Sequence, residues 1–270
     1  MPEVRLDQVR AFWEKHPVCA KEITAPLGSR EYLARFDELR EAIEPPAFFG
    51  DLHELAQFAG KRVLDVGCGN GFVLSRYARA GARVTGVDIT EAGIELCKKR
   101  FALHGLAGEF HVAPAERLPF SAESFDCVCS MGVLHHVSDV SAAVGEIRRV
   151  LVPGGRLIIM LYHRGSARYR FKLPAVSRMI GKPLEQLVNE VDGIGNPRGE
   201  VYSRDEMRAL LRDFRELEMW AGLLLPEDVL PWRLVSGSGA VPRAVRSIAS
   251  ALLKPLAPRY GWFLYGRAWK

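Results

Sequence analysis

The sequence has few cysteines, no long apolar run and little excess of charge, and each shortage excludes a class of protein. No apolar stretch in its 270 residues approaches the ~20 residues that a membrane-spanning helix needs. The five cysteines include no CxxC pair, so we expect buried thiols in a reducing compartment rather than a metal or disulfide framework. The net charge of +5 permits an anionic partner without requiring one.

The N-terminal segment is charged throughout and contains no apolar signal region, which predicts a cytoplasmic protein. Asp7 is the expected N-cap of a helix that runs through His16, and Ser29 that of a second helix to about Ile43. Pro45 and Pro46 are expected to break the chain.

From Lys61 to Tyr162, short apolar runs alternate with helical patterns. This alternation predicts βαβ units and a mostly parallel, buried sheet. Beyond Tyr162 the alternation weakens: residues 163–200 look basic at first and then loop-like around Asp192 to Gly195, and Ser203 starts a capping box. The expected strands are 63–66, 83–87, 110–113, 126–130, 156–162, 216–225 and 262–269. The expected core helices are 72–80, 90–104 and 138–151, and Thr90 is the expected N-cap of the second.

A glycine-rich loop joins the first expected strand to the helix that follows it. Gly67, Gly69 and Gly71 allow a tight turn and a close approach of the backbone to a ligand. The helix N-terminus beyond them favours a carboxylate or phosphate. In a dinucleotide-binding GxGxxG loop the sixth position is a glycine, but here it is Phe72, and Asp65 stands two residues before the loop. A plain tight turn is the structural alternative.

Asp88 ends the second expected strand, where a carboxylate can accept both ribose hydroxyls of a nucleoside. A helix cap is the alternative role for this residue. Further runs follow in order, and they are Ala113 to Phe120, Ser124 to Asp126, Cys127 to His136 with its Leu-His-His ending, and Val150 to Leu157.

With these runs, the Asp-x-Gly-x-Gly-x-Gly stretch resembles motif I of the class I S-adenosylmethionine-dependent methyltransferases. The resemblance spans about residues 61–162 and is closest to the broad group that includes ubiquinone, menaquinone and many small-molecule methyltransferases. That family usually has an acidic or amide residue where Pro114 stands, so the usual side-chain partner of the adenine amine is absent here, and the backbone of Ala115 or the side chain of Glu116 is the alternative partner.

The resemblance implies a doubly wound, Rossmann-like α/β fold with a seven-stranded, mostly parallel sheet whose last strand is antiparallel. It implies a helical cap at 1–60 and a cofactor-binding core at 61–162. Residues 163–202 and 226–259 would form lid insertions, and 203–225 and 260–270 would complete the sheet.

It also implies S-adenosylmethionine as cofactor, S-adenosylhomocysteine as product and no metal. The residues expected to hold the cofactor are Asp65, Gly67, Cys68, Gly69, Asn70, Gly71, Asp88, Ile89, Ala115, Glu116 and Met131. For Glu116 a solvated loop is the alternative, and for Met131 core packing.

His135 and His136 lie where the fourth expected strand ends, at the ligand edge of such a sheet. We expect a general base for an oxygen or nitrogen acceptor, with His135 first and His136 and His163 behind it, although each histidine can equally be structural. The expected acceptor-binding residues are Trp13, Tyr32, Tyr162, Arg164 and Arg168. Packing of the aromatic side chains and a solvated basic surface are the alternatives.

The sequence therefore predicts methyl transfer to an oxygen, nitrogen, sulfur or carbon atom of a small molecule, by a monomer or homodimer. A lipid-like, quinone-type acceptor reached through membrane contact of 226–259 is one alternative. A catalytically silent cofactor-binding protein and a nicotinamide-dependent oxidoreductase are two others. Nucleic acid is not expected as a substrate, because Ser130-Met-Gly-Val stands where amino-methylating nucleic-acid enzymes carry an Asn/Asp-Pro-Pro-aromatic element.

Overall fold

The computed structural model describes residues 4–18, 22–230 and 240–270. Its centre is an eight-stranded sheet in the order β3-β2-β1-β4-β5-β8-β7, with the short β6 paired beside β5. All pairings are parallel except those of β8 with β5 and β7. The strands are β1 (Arg62–Val66), β2 (Arg83–Asp88), β3 (Glu109–Val112), β4 (Phe125–Met131), β5 (Leu151–His163), β6 (Val201–Tyr202), β7 (Glu216–Gly222) and β8 (Phe263–Trp269).

The predicted fold class is confirmed, and the two-residue β6 is the strand that the sequence did not indicate. The helices of the described residues flank this sheet. They are α1 (Leu6–Lys15), α2 (Arg30–Ile43), α3 (Pro46–His53), α4 (Phe72–Arg79), α5 (Glu91–His104), α6 (Val140–Val150), α7 (Leu173–Ile180), α8 (Leu184–Asn189), α9 (Arg204–Leu210), α10 (Ala240–Leu253) and α11 (Ala257–Tyr260).

Local capping explains where several helices begin. The hydroxyls of Ser29, Thr90 and Ser203 accept hydrogen bonds from backbone N–H groups in the first turns of α2, α5 and α9, as predicted. The prediction for α1 was wrong, because Arg5 holds the N-cap position and Asp7 lies in the first turn.

The prolines interrupt the helical run between α2 and α3, as predicted, and Pro46 itself starts α3, since a proline at the first helical position gives up only an N–H that has no helical partner. The sequence indicated the loop around Gly193 to Gly195 but not the helices within residues 163–200. These residues hold a π-helical turn at Arg168–Lys172, then α7, α8 and a 3₁₀ turn at Glu190–Asp192.

The central strands are buried on both faces, so alternate side chains enter two separate apolar cores. Val63 of β1 belongs to a core with α2, α3, α4 and α5, whereas its neighbour Leu64 packs with α6 and α9. The carboxyl ends of β1, β2 and β4 meet at one edge of the sheet, where parallel strands of this fold class bind ligands. No helix in the described ranges is both long and apolar enough to cross a membrane.

Candidate active site

A cavity of about 200 Å³ lies at that edge of the sheet. Its floor comes from the ends of β1, β2 and β4, and α1 and α2 cover it. The sequence predictions converge on this one space: ten of the predicted cofactor residues line it, namely Asp65, Gly67, Cys68, Gly69, Asn70, Asp88, Ile89, Ala115, Glu116 and Met131. The eleventh, Gly71, is instead the N-cap of α4.

The glycine loop is held against β2 by its backbone. The N–H groups of Gly67 and Cys68 both donate to the carbonyl of Val87, at 2.7 and 2.9 Å. Gly67 has a φ of +78°, and a Cβ there would overlap the side chain of Val133. A Cβ on Gly69 would meet nothing within 4 Å, so the loop leaves open space for a ligand at that point.

Asp88 reaches the loop from the end of β2. One carboxylate oxygen accepts from the N–H and hydroxyl of Thr90 at 2.9 and 2.6 Å, and the other accepts from the N–H of Gly69 at 2.9 Å. Burial raises the pKa of Asp88, against the lowering effect of these bonds. The side chain therefore orders the loop and also presents acceptor oxygens to the cavity.

Asp65 is a second carboxylate, buried at the end of β1. Burial raises its pKa to about 7, because the hydrogen bond to Cys129 does not offset the loss of water around the charge. A cation beside Asp65 would restore the ionised form. The site is thus suited to a ligand that carries an ammonium group.

Arg40 is a cavity residue that the sequence reasoning missed. Its guanidinium pairs with the fully buried Glu44 at 2.6 Å. The available signal was the helical spacing of Tyr32, Phe36 and Arg40, which places one cation on an otherwise aromatic stripe of α2. It gives the cavity a positive group for a carboxylate.

Helix α1 covers the cavity with Leu6, Val9 and Trp13. It is held there by Glu14, whose two carboxylate oxygens accept from the backbone N–H groups of Glu91 and Ala92 at 3.0 and 2.9 Å. These are the first N–H groups of α5, and they have no partner within the helix. Glu14 was also missed, since it meets α5 from 77 residues away.

Of the three predicted histidine bases, the cavity contains only His136. Its Nδ1 lies 2.5 Å from the carbonyl oxygen of Arg198, and its Nε2 lies 2.9 Å from Oδ2 of Asp192. The indole of Trp13 packs edge-on against the ring, with centroids 5.1 Å apart. Both ring nitrogens are therefore engaged by protein groups.

His135, the first choice from the sequence, is fully buried and outside the cavity lining, and its ring lies on that of Tyr162 at 3.8 Å. Neither of its nitrogens has a hydrogen-bond partner among the described residues. Burial and the neighbouring His136 lower the pKa of His135 well below its ordinary value. His163 is also away from the cavity, with Nδ1 bonded to the carbonyl of Gly261 at 3.0 Å.

The predicted acceptor-binding residues also divide into those that line the cavity and those that do not. Trp13 and Tyr32 line the cavity, whereas Tyr162, Arg164 and Arg168 do not. Arg164 pairs with Glu206 at 3.0 Å, and Arg168 pairs with the buried Asp228 at 2.8 Å. These two arginines are committed to ion pairs that join segments of the chain.

Within the described ranges, His135, His136 and Asp192 bring possible metal-ligand atoms within 4.8 Å of one another. Both nitrogens of His136 are in contact with Arg198 and Asp192, whereas those of His135 have no hydrogen-bond partner among the described residues. Glu116 is similarly occupied at the other end of the cavity, where it accepts from the N–H and hydroxyl of Ser138 at 3.0 and 2.7 Å.

Comparison with known proteins agrees with this geometry. A family profile described as a methyltransferase domain matches residues 64–159. The ubiquinone biosynthesis O-methyltransferase of Mesorhizobium japonicum is 32% identical over 169 residues, which cover 61% of this chain and 68% of that protein. The protein of the same name from Bartonella bacilliformis is 35% identical over 149 residues, covering 54% and 60%.

Solved structures of low sequence identity share the fold. A possible histamine N-methyltransferase from Thermotoga maritima is 20% identical with a TM-score of 0.55, covering 97% of this chain and 99% of that one. An N-methyltransferase from Haemonchus contortus, in complex with S-adenosylhomocysteine, is 18% identical with a TM-score of 0.60, covering 100% and 61%.

Proposed function

Because the chain belongs to the class I S-adenosylmethionine-dependent methyltransferases, we propose that it methylates an oxygen atom of a small molecule bound in the cavity under α1. One observation carries this proposal. The glycine loop, Asp88, Trp13 and His136 open onto a single cavity, so a cofactor and an acceptor can meet there. Oxygen is proposed as the accepting atom because the curated relatives named above are O-methyltransferases.

The chain's own groups fit the cofactor from end to end. S-adenosylmethionine supplies a methyl group already activated on a sulfonium. We assign the ribose hydroxyls to Asp88, the ammonium to Asp65 and the carboxylate to Arg40, and the open face of Gly69 admits the ligand close to the backbone. Ala115 and Glu116 would face the adenine, and Met131 the methionine portion.

At the acceptor end, we assign Trp13, Tyr32 and His136 to binding. With the methyl group already activated, these residues have to hold the acceptor oxygen in line with it and exclude water. The apolar side chains of α1 close the cavity over that position. The segments 163–202 and 226–259 were expected to form the lid, but neither 163–202 nor the described part of 226–259 contributes a residue to the cavity.

The test is transfer of labelled methyl from S-adenosylmethionine to a panel of hydroxylated small molecules. We expect label in an ether or ester product with the native protein and not with Asp88→Ala. Calorimetry with S-adenosylhomocysteine and with NAD separates the alternatives. Binding of NAD alone would indicate an oxidoreductase, and binding of S-adenosylhomocysteine without transfer to any acceptor would indicate a silent cofactor-binding protein.

We keep a second candidate, a lipid-like acceptor taken from a membrane surface, because of one feature of α10. Val241, Ile248 and Leu252 project from this helix with 74%, 63% and 72% of their surface exposed. Apolar side chains at that spacing share one helix face, and contiguous exposed patches of this kind mark interaction surfaces. The predicted membrane contact at 226–259 thus falls partly on α10, while 231–239 lie outside the described residues.

A further inference from the structure

The hydrogen bonds of His136 are unusual because an acceptor is the nearest partner of each ring nitrogen, while a donor, the amide nitrogen of Asn196, lies farther from Nδ1 at 3.5 Å. The Arg198 carbonyl faces Nδ1 at 2.5 Å, and a carbonyl oxygen can only accept. Asp192 Oδ2 faces Nε2 at 2.9 Å. A neutral imidazole has one N–H, so it can satisfy only one of these contacts and would turn a lone pair toward the other oxygen. Both are satisfied when each nitrogen carries a proton.

Asp192 is the charged partner in this arrangement. Burial raises its pKa, but the hydrogen bonds from His136 and Tyr162 outweigh burial and hold the pKa below its ordinary value. Tyr162 donates its hydroxyl to the same Oδ2, and burial raises the pKa of Tyr162 well above its usual range, so this donor keeps its proton. A proton between Nε2 and Oδ2 therefore belongs to the ring and not to the carboxyl group.

The remaining groups around the ring do not supply a competing proton acceptor. The guanidinium of Arg198 pairs with Glu200 at 2.6 Å, and Arg168 acts on Asp192 from the π-helical turn. His135 on the same loop is kept neutral by burial and by His136. From α1, Trp13 offers the ring an aromatic face and edge without a titratable group.

We infer that Asp192 and the Arg198 carbonyl hold His136 as an imidazolium whose positive ring faces the cavity, and that the acceptor is an acidic hydroxyl bound as its oxyanion. His136 lines the cavity and Asp192 does not, so the positive end of the pair is turned toward the acceptor. Asp192 is then a positioning residue that acts through His136. This inference rests on the proposed methyl transfer and names its acceptor class.

The transfer step balances without a protein base. The acceptor hydroxyl loses its proton to water before it binds. Its oxygen then forms a bond to the methyl carbon while the carbon–sulfur bond breaks, and the bonding pair stays on sulfur. The negative charge of the oxyanion and the positive charge of the sulfonium cancel. His136 lowers the energy of the bound oxyanion by its charge and accepts no proton.

The first test is nuclear magnetic resonance of ¹⁵N-histidine-labelled full-length protein. At pH 7.5 we expect both nitrogens of His136 to show proton-bearing chemical shifts, with the signal assigned by its loss in His136→Gln. In Asp192→Asn one nitrogen should become unprotonated, whereas Asp205→Asn, a matched change at an exposed carboxylate on α9, should leave the signal unchanged. One unprotonated nitrogen in the native protein would overturn the inference.

The second test compares an acidic and a neutral phenol of similar size. With S-adenosylhomocysteine present at pH 8, we expect 4-nitrophenol, bound as its anion, to bind roughly ten- to a hundredfold more tightly than 4-methylphenol. This preference should disappear in His136→Gln and shrink in Asp192→Asn, while Asp192→Glu should recover part of it. Equal binding of the two phenols by the native protein would contradict the inference.

The third test asks whether the protein binds a divalent cation at His136 and Asp192. Co²⁺ that binds the native protein in a one-to-one ratio, with absorption bands that disappear in Asp192→Asn, would place a metal between His136 and Asp192 and overturn the imidazolium. Failure to bind S-adenosylhomocysteine would count against the proposed function alone, because the resonance measurement needs no ligand.

Discussion

Gly67 is the position in the glycine loop at which a side chain is least acceptable, for two separable reasons. Its φ is +78°, a conformation that L-residues adopt at a cost of about 1–2 kcal/mol, and a Cβ would also overlap Val133. Gly105 shares the first feature, with φ +61°, but a Cβ there would meet nothing within 4 Å. The two glycines therefore form a matched pair.

We expect Gly105→Ala to lower the free energy of unfolding by about 1 kcal/mol and Gly67→Ala by about 3 kcal/mol, because the second change adds overpacking to backbone strain. Urea denaturation followed by circular dichroism measures both. Val133→Ala in the Gly67→Ala background should recover part of the loss. Equal costs for the two glycine changes would show that the contact with Val133 is unimportant.

Asp65 gives the proposed cofactor site a pH signature. Without ligand its pKa is raised to about 7, so the carboxyl group is partly protonated below that pH. A ligand ammonium nearby would lower the pKa, and binding would then release a proton. We expect roughly three quarters of a proton to be released at pH 6.5 and almost none at pH 8.5 when S-adenosylhomocysteine binds.

Calorimetry in two buffers of different ionisation enthalpy measures that proton. The binding heat should depend on the buffer at pH 6.5 in the native protein and in Asp205→Asn, and the dependence should be lost in Asp65→Asn. Equal heats in both buffers for the native protein would place the ammonium away from Asp65.

Two of the residues that sequence reasoning missed act across long separations. Glu14 meets α5 from 77 positions away, and Asp192 meets His136 from 56. No local pattern encodes such contacts. The glycine loop and Asp88 were predictable because a strand end, a tight turn and a helix start lie together in the sequence. His135 and His136 were indistinguishable in sequence, since only the fold decides which of two adjacent rings faces the cavity.

Helix α1 is joined to α5 by the carboxylate of Glu14 and by an exposed ion pair between Arg10 and Glu91 at 3.7 Å. It covers the cavity, and Glu14 satisfies the first two N–H groups of α5 while lying at the positive end of that helix dipole. Loss of a capping carboxylate in such a position costs about 1–2 kcal/mol. Opening of α1 should therefore become easier when Glu14 is removed.

For Glu14→Ala we expect the dissociation rate of S-adenosylhomocysteine to rise roughly tenfold, in line with that loss. Stopped-flow displacement measures the rate. Glu95→Ala removes a carboxylate from the exposed surface of α5, where it pairs with Lys98, and should leave the rate unchanged. An unchanged rate in Glu14→Ala would mean that α1 is not the element that opens.

The elements themselves were predictable to different degrees. The core strands and α2, α5 and α9 follow from apolar patterns and capping residues. The basic first part of residues 163–200 gave no helical signal, yet it forms helical turns, and Arg168, Lys172 and Lys182 pair with acidic side chains of the folded chain. The composition of a short segment does not indicate which ion pairs its residues will form in the folded protein.

At the scale of the whole molecule, the sheet and its ligand edge form the cavity, while α10 contributes no residue to it. Its apolar face carries Val241, Val245, Ile248 and Leu252, and Arg246 on the same helix pairs with Glu227 at 3.1 Å. Basic and apolar side chains on one helix are typical of segments that lie on anionic membranes. An exposed face of this kind predicts binding to lipid more directly than closure over the cavity, which α10 does not line.

We therefore expect the full-length protein to co-sediment with vesicles of phosphatidylglycerol and phosphatidylcholine. The double variant Ile248→Glu with Leu252→Glu should bind the vesicles with an affinity at least about a hundredfold lower, because each aliphatic side chain buried in the lipid contributes about 1.5–3 kcal/mol. Ser247→Glu with Ser250→Glu adds the same charge at exposed serines of α10 and should reduce binding far less. If the native protein stays in the supernatant at low salt, α10 does not hold it at a lipid surface, and the acceptor would have to reach the cavity from water.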